Sequence, residues 1–192
     1  MALQTDLGAV HTRALDQAYD VITRIRADQL TSPTPCTKWN TRELANHLVG
    51  ANWMMSAVGK REKVGRVGLP PDLLGDDPAG AYKASSRAAA EEFYSPGALD
   101  RTWALPIGDV PGAMARNIHL LETVLHTWDL AKATGQTDRL DPELAEAGYG
   151  IAVAILQPQF RNDEGDPFAP LVAVSDAAPI YDRLAGFAGR TP

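Results

Sequence analysis

The segment between Pro111 and Gly135 constrains this chain most, because it carries two stripes of different chemistry at one helical spacing. Met114, Ile118, Leu121, Leu125 and Trp128 advance in steps of four and three, which lines one face of an α-helix with apolar side chains. His119, Glu122, His126 and Asp129 advance in steps of three, four and three and form a second stripe beside it. Pro111 suits the first position of that helix, since it has no N–H to leave unpaired, and Gly135 suits its end, where a left-handed residue closes the last turn. The spacing therefore predicts a helix from Pro111 to Thr134 with an apolar stripe and a row of titratable groups.

The rest of the chain is punctuated in the same way. Leu7, Val10, Leu15, Ala18, Val21, Ile22 and Ile25 predict a first helix over about 5–29. Pro33 and Pro35 then interrupt, pushing their predecessors to extended geometry. Asn40 with Glu43 three residues on forms a capping-box signature, so a second helix should start at Thr41. Its apolar face is Leu44, Leu48, Ala51, Met54, Met55 and Val58, and His47 falls on that face. A Gly/Pro-rich loop over 65–78 precedes an Ala-rich third helix over about 79–94. Residues 98–110 read as turn-like, with one short extended piece from Arg101 to Leu105.

A fifth helix follows from Pro142 behind an Asp141 cap and ends before Pro158. The remainder holds Pro167, Pro170 and Pro179 and one amphipathic stretch, Ile180 to Phe187, expected to lie on the bundle as a strap. Long helices with few strand signals predict an all-α bundle. At 192 residues with 45% hydrophobic content, the expectation is one domain over 1–192, able to bury a core without disulfides. A metal in such a chain would serve function more than folding.

Charge and composition narrow the function classes. The net charge is −6, and the densest basic stretch, Lys60 to Lys63, is broken by Glu62. Nucleic-acid binding needs a basic footprint to displace counterions, so a nucleic-acid partner is not expected. No run approaches the ~18 apolar residues of a membrane span, and the start MALQTDLGAV lacks the regions of a signal peptide. No membrane partner is expected, and a cytoplasmic location is. The single cysteine, Cys36, excludes an intramolecular disulfide.

Glu122 and His126, one turn apart, can converge on one point, as paired residues on one helix do in zinc sites. A third ligand must come from another element, and His47 is the candidate. Two imidazoles and a carboxylate suit Zn foremost, and also Ni, Fe or Mn, with coordination positions left open for water or substrate. The alternative stands beside it: a Glu–His pair at this spacing is often only a surface pair, and a histidine on a core face is often structural. His119, one turn before Glu122, reads as a residue that supports the ligands or lies at the surface, ahead of a fourth ligand, with a substrate contact as a further option. Asp129 reads either as a solvated residue or as the group that orients His126 through its free N–H. Cys36 reads as a small buried residue, although a thiol near a helix N-terminus can become reactive. Trp39 reads as a core or cap-packing residue, and Trp53, Met54 and Met55 read as core residues with the option of lining a pocket near the metal.

The strings PTPCTKWN, NHLVG and ETVLHTWDLAKATG resemble the DinB-like four-helix superfamily, in particular its actinobacterial branch around mycothiol-dependent maleylpyruvate isomerase. The similarity covers about residues 5–157, and DRLAGFAGRTP resembles the tail of short members of that branch. The resemblance implies a divalent-metal site made of a histidine in the second helix and a Glu-x-x-x-His pair in a later one, which falls on His47, Glu122 and His126. It further implies a low-molecular-weight thiol, mycothiol, as co-substrate in thiol transfer to, or isomerisation of, a small electrophile. This sequence departs from the pattern in two ways. The isomerase carries a further C-terminal domain where this chain has a strap from about 158, and many superfamily members have a histidine where Glu122 stands. Two other readings accompany it: a non-enzymatic metal-binding or stress-response module that homodimerises, and a metal-dependent hydrolase in which Asp129 or His119 supplies the acid or base.

Overall fold

A computed structural model describes residues 6–65, 71–161 and 168–192. The expected first-helix start at 5, residues 66–70 of the expected loop, and Pro167 lie outside the described residues. Helix α1 (Leu7–Thr23) begins behind Asp6, whose carboxylate accepts the N–H groups of Gly8 and Ala9. It stops at Thr23, six residues short of the expected end. Beyond it the backbone N–H of Arg26 is taken by the Gln29 side chain at 3.1 Å, which closes a separate 3-10 turn over Ala27–Gln29. The Gln29 amide nitrogen also donates to the Thr134 carbonyl at 3.2 Å, so a tertiary contact competes with helix continuation.

Helix α2 (Thr41–Gly59) starts at the expected residue for the expected reason. Asn40 Oδ1 accepts the Glu43 N–H at 3.0 Å while Glu43 accepts the Asn40 N–H at 2.9 Å. Helix α3 (Pro78–Phe93) is capped by Asp77. The segment after it is where the all-α expectation fails. It forms an antiparallel hairpin of β1 (Thr102–Leu105) and β2 (Gly108–Pro111), with Trp103 opposite Val110 and Leu105 opposite Gly108. Strands this short carry little periodicity, and what holds them is tertiary. Trp103 is buried flat against Phe93, with ring centroids 4.4 Å apart, and its indole N–H donates to the Ala98 carbonyl.

Pro111 consequently ends β2 and precedes the helix instead of opening it. Helix α4 (Gly112–Thr134) begins at Gly112, whose N–H donates to the Arg101 carbonyl at 2.8 Å. Only glycine fits there: a Cβ would stand 2.0 Å from the Ala98 carbonyl oxygen and 2.8 Å from the Trp103 indole nitrogen. At its other end α4 closes on Gly135 at φ 72°. The helix is buried on more faces than its apolar stripe suggests. Leu120, Val124, Leu130 and Ala131 are buried too, because α5 (Pro142–Ile155) covers that side. Thr123, Thr127 and Thr134 survive in this interior because each hydroxyl donates to the carbonyl one turn back, at 2.6–2.8 Å.

Around α4, α2 packs on α3, and α1 lies against α3, α4 and α5. Helix α6 (Ile180–Phe187) lies on α5 and reaches α4. The main core joins all six helices, α3 through Tyr82, and a second apolar cluster under the hairpin includes Met55, Val58, Phe93, Trp103 and Ala115. Among the described residues, no helix is long and apolar enough to cross a membrane.

Candidate metal centre

Where α2 crosses α4, the middle of one helix meets the middle of the other. His47 comes from α2, and Glu122 and His126 come from successive turns of α4. The His47 Nε2–H donates to Glu122 Oε1 at 2.8 Å, and the His47 and His126 rings stand edge to face with centroids 5.1 Å apart. One ligand atom from each of the three lies within 4.8 Å of the others. A tetrahedral zinc with bonds of about 2.0–2.2 Å spaces its ligand atoms roughly 3.4 Å apart, so small side-chain adjustments bring this trio into range. The donor set also fits a borderline cation, since imidazole and carboxylate both suit zinc and its neighbours.

The side chains of His47 and Glu122 are each 24% exposed, while His126 is buried, its side chain 10% exposed. A route from solvent to the convergence point therefore remains. Burial pushes the Glu122 carboxyl up, but the hydrogen bond from His47 and the charges of His47, His126 and His119 outweigh it and bring it to about 2. The site thus presents an anion across the working pH range. Burial lowers His126 below the usual imidazole value, and the hydrogen bond to Asp129 only partly offsets that. A neutral imidazole is the form that ligates metal.

Asp129 is fully buried behind His126. Its Oδ2 accepts the His126 Nδ1–H at 3.0 Å, which fixes the ring and leaves Nε2 as the nitrogen with a free lone pair. Of its two sequence readings, the solvated one is excluded by burial.

Trp39 packs against the main core, partly buried, and is also a wall of the site. Its indole stacks on His47 at 4.2 Å and stands edge-on to His126 at 5.8 Å. The loop before α2 holds it there. Thr34 Oγ1 donates to the Trp39 carbonyl at 2.7 Å and lies 3.0 Å from that of Cys36, while the Trp39 N–H donates to Cys36 at 2.9 Å. A groove of about 400 Å³ runs along Trp39, bounded by Thr34, Lys38, Asn40 and Glu43. Cys36 is partly buried, and burial pushes its thiol up, opposite to what a reactive thiolate needs. Its sulfur, a His126 nitrogen and an Asp129 oxygen also fall within 4.8 Å of one another, a second grouping that shares His126. Of the other residues with a pocket option, Trp53 is largely exposed, whereas Met55 is buried in the cluster under the hairpin.

His119 is not at the surface, and on α4 it stays near enough to Glu122 for the two to interact electrostatically. It is fully buried and belongs to a separate chain of hydrogen bonds with His11, which sequence reasoning did not single out. Asn52 donates to Ser85 Oγ at 3.1 Å, so its Oδ1 accepts the His119 Nε2–H at 2.9 Å. His119 Nδ1 then accepts the His11 Nε2–H at 2.9 Å, and His11 Nδ1 lies 2.9 Å from the Tyr94 hydroxyl. Ser85 finishes the other end on the Tyr82 carbonyl at 2.9 Å. The chain ties α1 through α4 together between the rings of Phe93 and Tyr94. Burial lowers His119 to about 4; burial and the adjoining His119 and Arg116 charges lower His11 to about 2. Both are neutral hydrogen-bonding groups at neutral pH.

Residues 11–131 match the family described as the mycothiol maleylpyruvate isomerase N-terminal domain. Two Mycobacterium tuberculosis proteins, named Uncharacterized protein MT0763 and Uncharacterized protein Rv0738, are each 39% identical to this chain. The similarity covers 94% of this chain and 96% of each of theirs. No solved structure matches.

Proposed function

The chain belongs to the mycothiol maleylpyruvate isomerase N-terminal domain family, and from that membership and the site geometry we propose that it is a metal-dependent enzyme using a low-molecular-weight thiol. His47, Glu122 and His126 hold one divalent cation, zinc foremost, in a DinB-like four-helix arrangement. When bound, such a cation ionises a coordinating thiol and so supplies a sulfur nucleophile at neutral pH. The observation that carries this reading is the convergence of three ligand atoms within 4.8 Å on two crossing helices, with solvent access retained.

The chain's own residues do the rest. Asp129 fixes the tautomer of His126, Glu122 balances part of the cation's charge, and Trp39 keeps one flank of the site dry and holds the His47 ring. Mycothiol is the thiol the family description suggests. Metal-dependent hydrolysis draws less support, because the two side chains it relied on are committed elsewhere. Asp129 lies behind His126, and His119 lies in the other hydrogen-bond chain.

The test is metal content by mass spectrometry, followed by transfer of mycothiol to a small electrophile. About one equivalent of zinc, and a rate that chelation abolishes and zinc restores, are expected. A rate that survives complete metal removal would sink the thiol mechanism.

A further inference from the structure

Arg190, just beyond helix α6, bears on the metal centre. Helix α6 ends in a Schellman motif: the Arg190 N–H donates to the Ala185 carbonyl at 2.9 Å and the Gly189 N–H to Gly186 at 3.0 Å. Gly189 makes the turn at φ 83°, with no room for a side chain, since a Cβ would stand 2.8 Å from both the Ala169 carbonyl oxygen and its Cβ. The turn sends Arg190 back toward α4. There its Nη1 donates to Ala188 at 3.0 Å, and its Nη2 stands 3.4 Å from Asp129 Oδ2, the same oxygen that receives His126. The Arg190 side chain is only 11% exposed and the Asp129 side chain not at all.

A carboxylate without solvent is costly unless a cation stands beside it. Asp129 has two partners for Oδ2, while its buried Oδ1 has none among the described residues. Arg190 thus places a positive charge beside this carboxylate and holds the Oδ2 that faces His126 from its other side.

We propose that Arg190 is a positioning residue of the metal centre, acting through Asp129 on His126, so that the C-terminal strap sets the metal affinity of a site built on α2 and α4. This rests on the metal-site reading above. Partners that orient a ligating histidine typically contribute about 10–100-fold in metal affinity. The contact here is a single one, so a point charge suffices and the planar fork of arginine is not required.

The experiment is zinc affinity by competition with a chromophoric chelator, on the full chain, with thermal unfolding under chelator to confirm that each variant folds. Arg190→Gln keeps much of the side-chain stem and loses the charge, and should bind one zinc about tenfold more weakly. Arg190→Lys should recover most of that loss. Asp129→Asn should be weak, and the double variant Asp129→Asn/Arg190→Gln no weaker than Asp129→Asn alone, because both changes break one path. Wild-type affinity in Arg190→Gln, or penalties that simply add in the double variant, would overturn the assignment. A wild-type chain that binds no zinc would instead overturn the metal site itself, and this inference with it.

Discussion

The four histidines fall into two pairs, each bringing a residue of another helix against α4, and the pairs have opposite surroundings. His47 and His126 flank a carboxylate, keep some solvent contact and share an aromatic wall. His11 and His119 touch each other directly, with Phe93 packed on both and no carboxylate in their hydrogen-bond chain. An imidazole pair next to an ionised acid can gather a cation, whereas a pair sealed from water can only satisfy itself. The same residue type thus builds a candidate reaction centre at one crossing and a cross-helix tie at another. The difference lies in the third group and in access.

The widest gap between the pairs should appear on truncation. His126→Ala should lower zinc affinity more than a hundredfold, since it removes a ligand and not merely its support, while chelator-treated protein stays folded. Equilibrium dialysis against zinc reads this out, and near-wild-type binding would dissolve the contrast. His119→Leu should do the reverse. It leaves Asn52 Oδ1 and the His11 N–H without their partner, which costs about 2–4 kcal/mol, or roughly 4–16 °C in Tm, with zinc affinity within about threefold of wild type. A large loss of zinc affinity in that variant would show that the two pairs are one system.

Acid should sharpen the comparison next. The folded values of His11 and His119 are about 2 and about 4, below the unfolded value of 6.5. Between those limits the unfolded chain binds more protons, so their contribution is fully present above about pH 6.5 and is lost progressively as pH falls toward 4 and below. His126, also lowered by burial, adds the same sign, so the comparison belongs in the His126→Ala background. There the urea midpoint should hold above pH 7 and decline from 6.5 to 4, with a shallower decline once His11→Leu and His119→Leu are both added. An equal slope in the two would remove the sealed pair from the explanation. The smallest effect is expected at Trp39→Leu, where loss of stacking on His47 should weaken zinc binding about two- to tenfold. Calorimetric titration with zinc would detect it, and an unchanged Kd would demote Trp39 to a packing residue.

Much of the fold was legible because its signals are local. Asn40 with Glu43, Asp141 before Pro142, and Gly135 after Thr134 each act within one turn, and the helix ends lie where they point. The hairpin was half visible, as one extended piece, because its second strand depends on Trp103 finding Phe93 and Ala98. The early end of α1 escaped for a similar reason, Gln29 being drawn to a carbonyl of α4. In the candidate site, Glu122 and His126 announce themselves by spacing, and the family strings single out His47. His11 carried an equivalent signal, a histidine on the apolar face of a helix, and nothing in its periodicity separates it from His47.

The sequence by itself determined the helices, the breaks between them and the pairing of Glu122 with His126, since these follow from backbone chemistry over a few residues. Tertiary structure alone decided which histidine meets which. It joined His119 to His11, set Trp39 against His47, and returned Arg190 from beyond α6 to the carboxylate behind His126. Those choices depend on how helices cross and which groups lose water together, and such burial is a property of the packed whole.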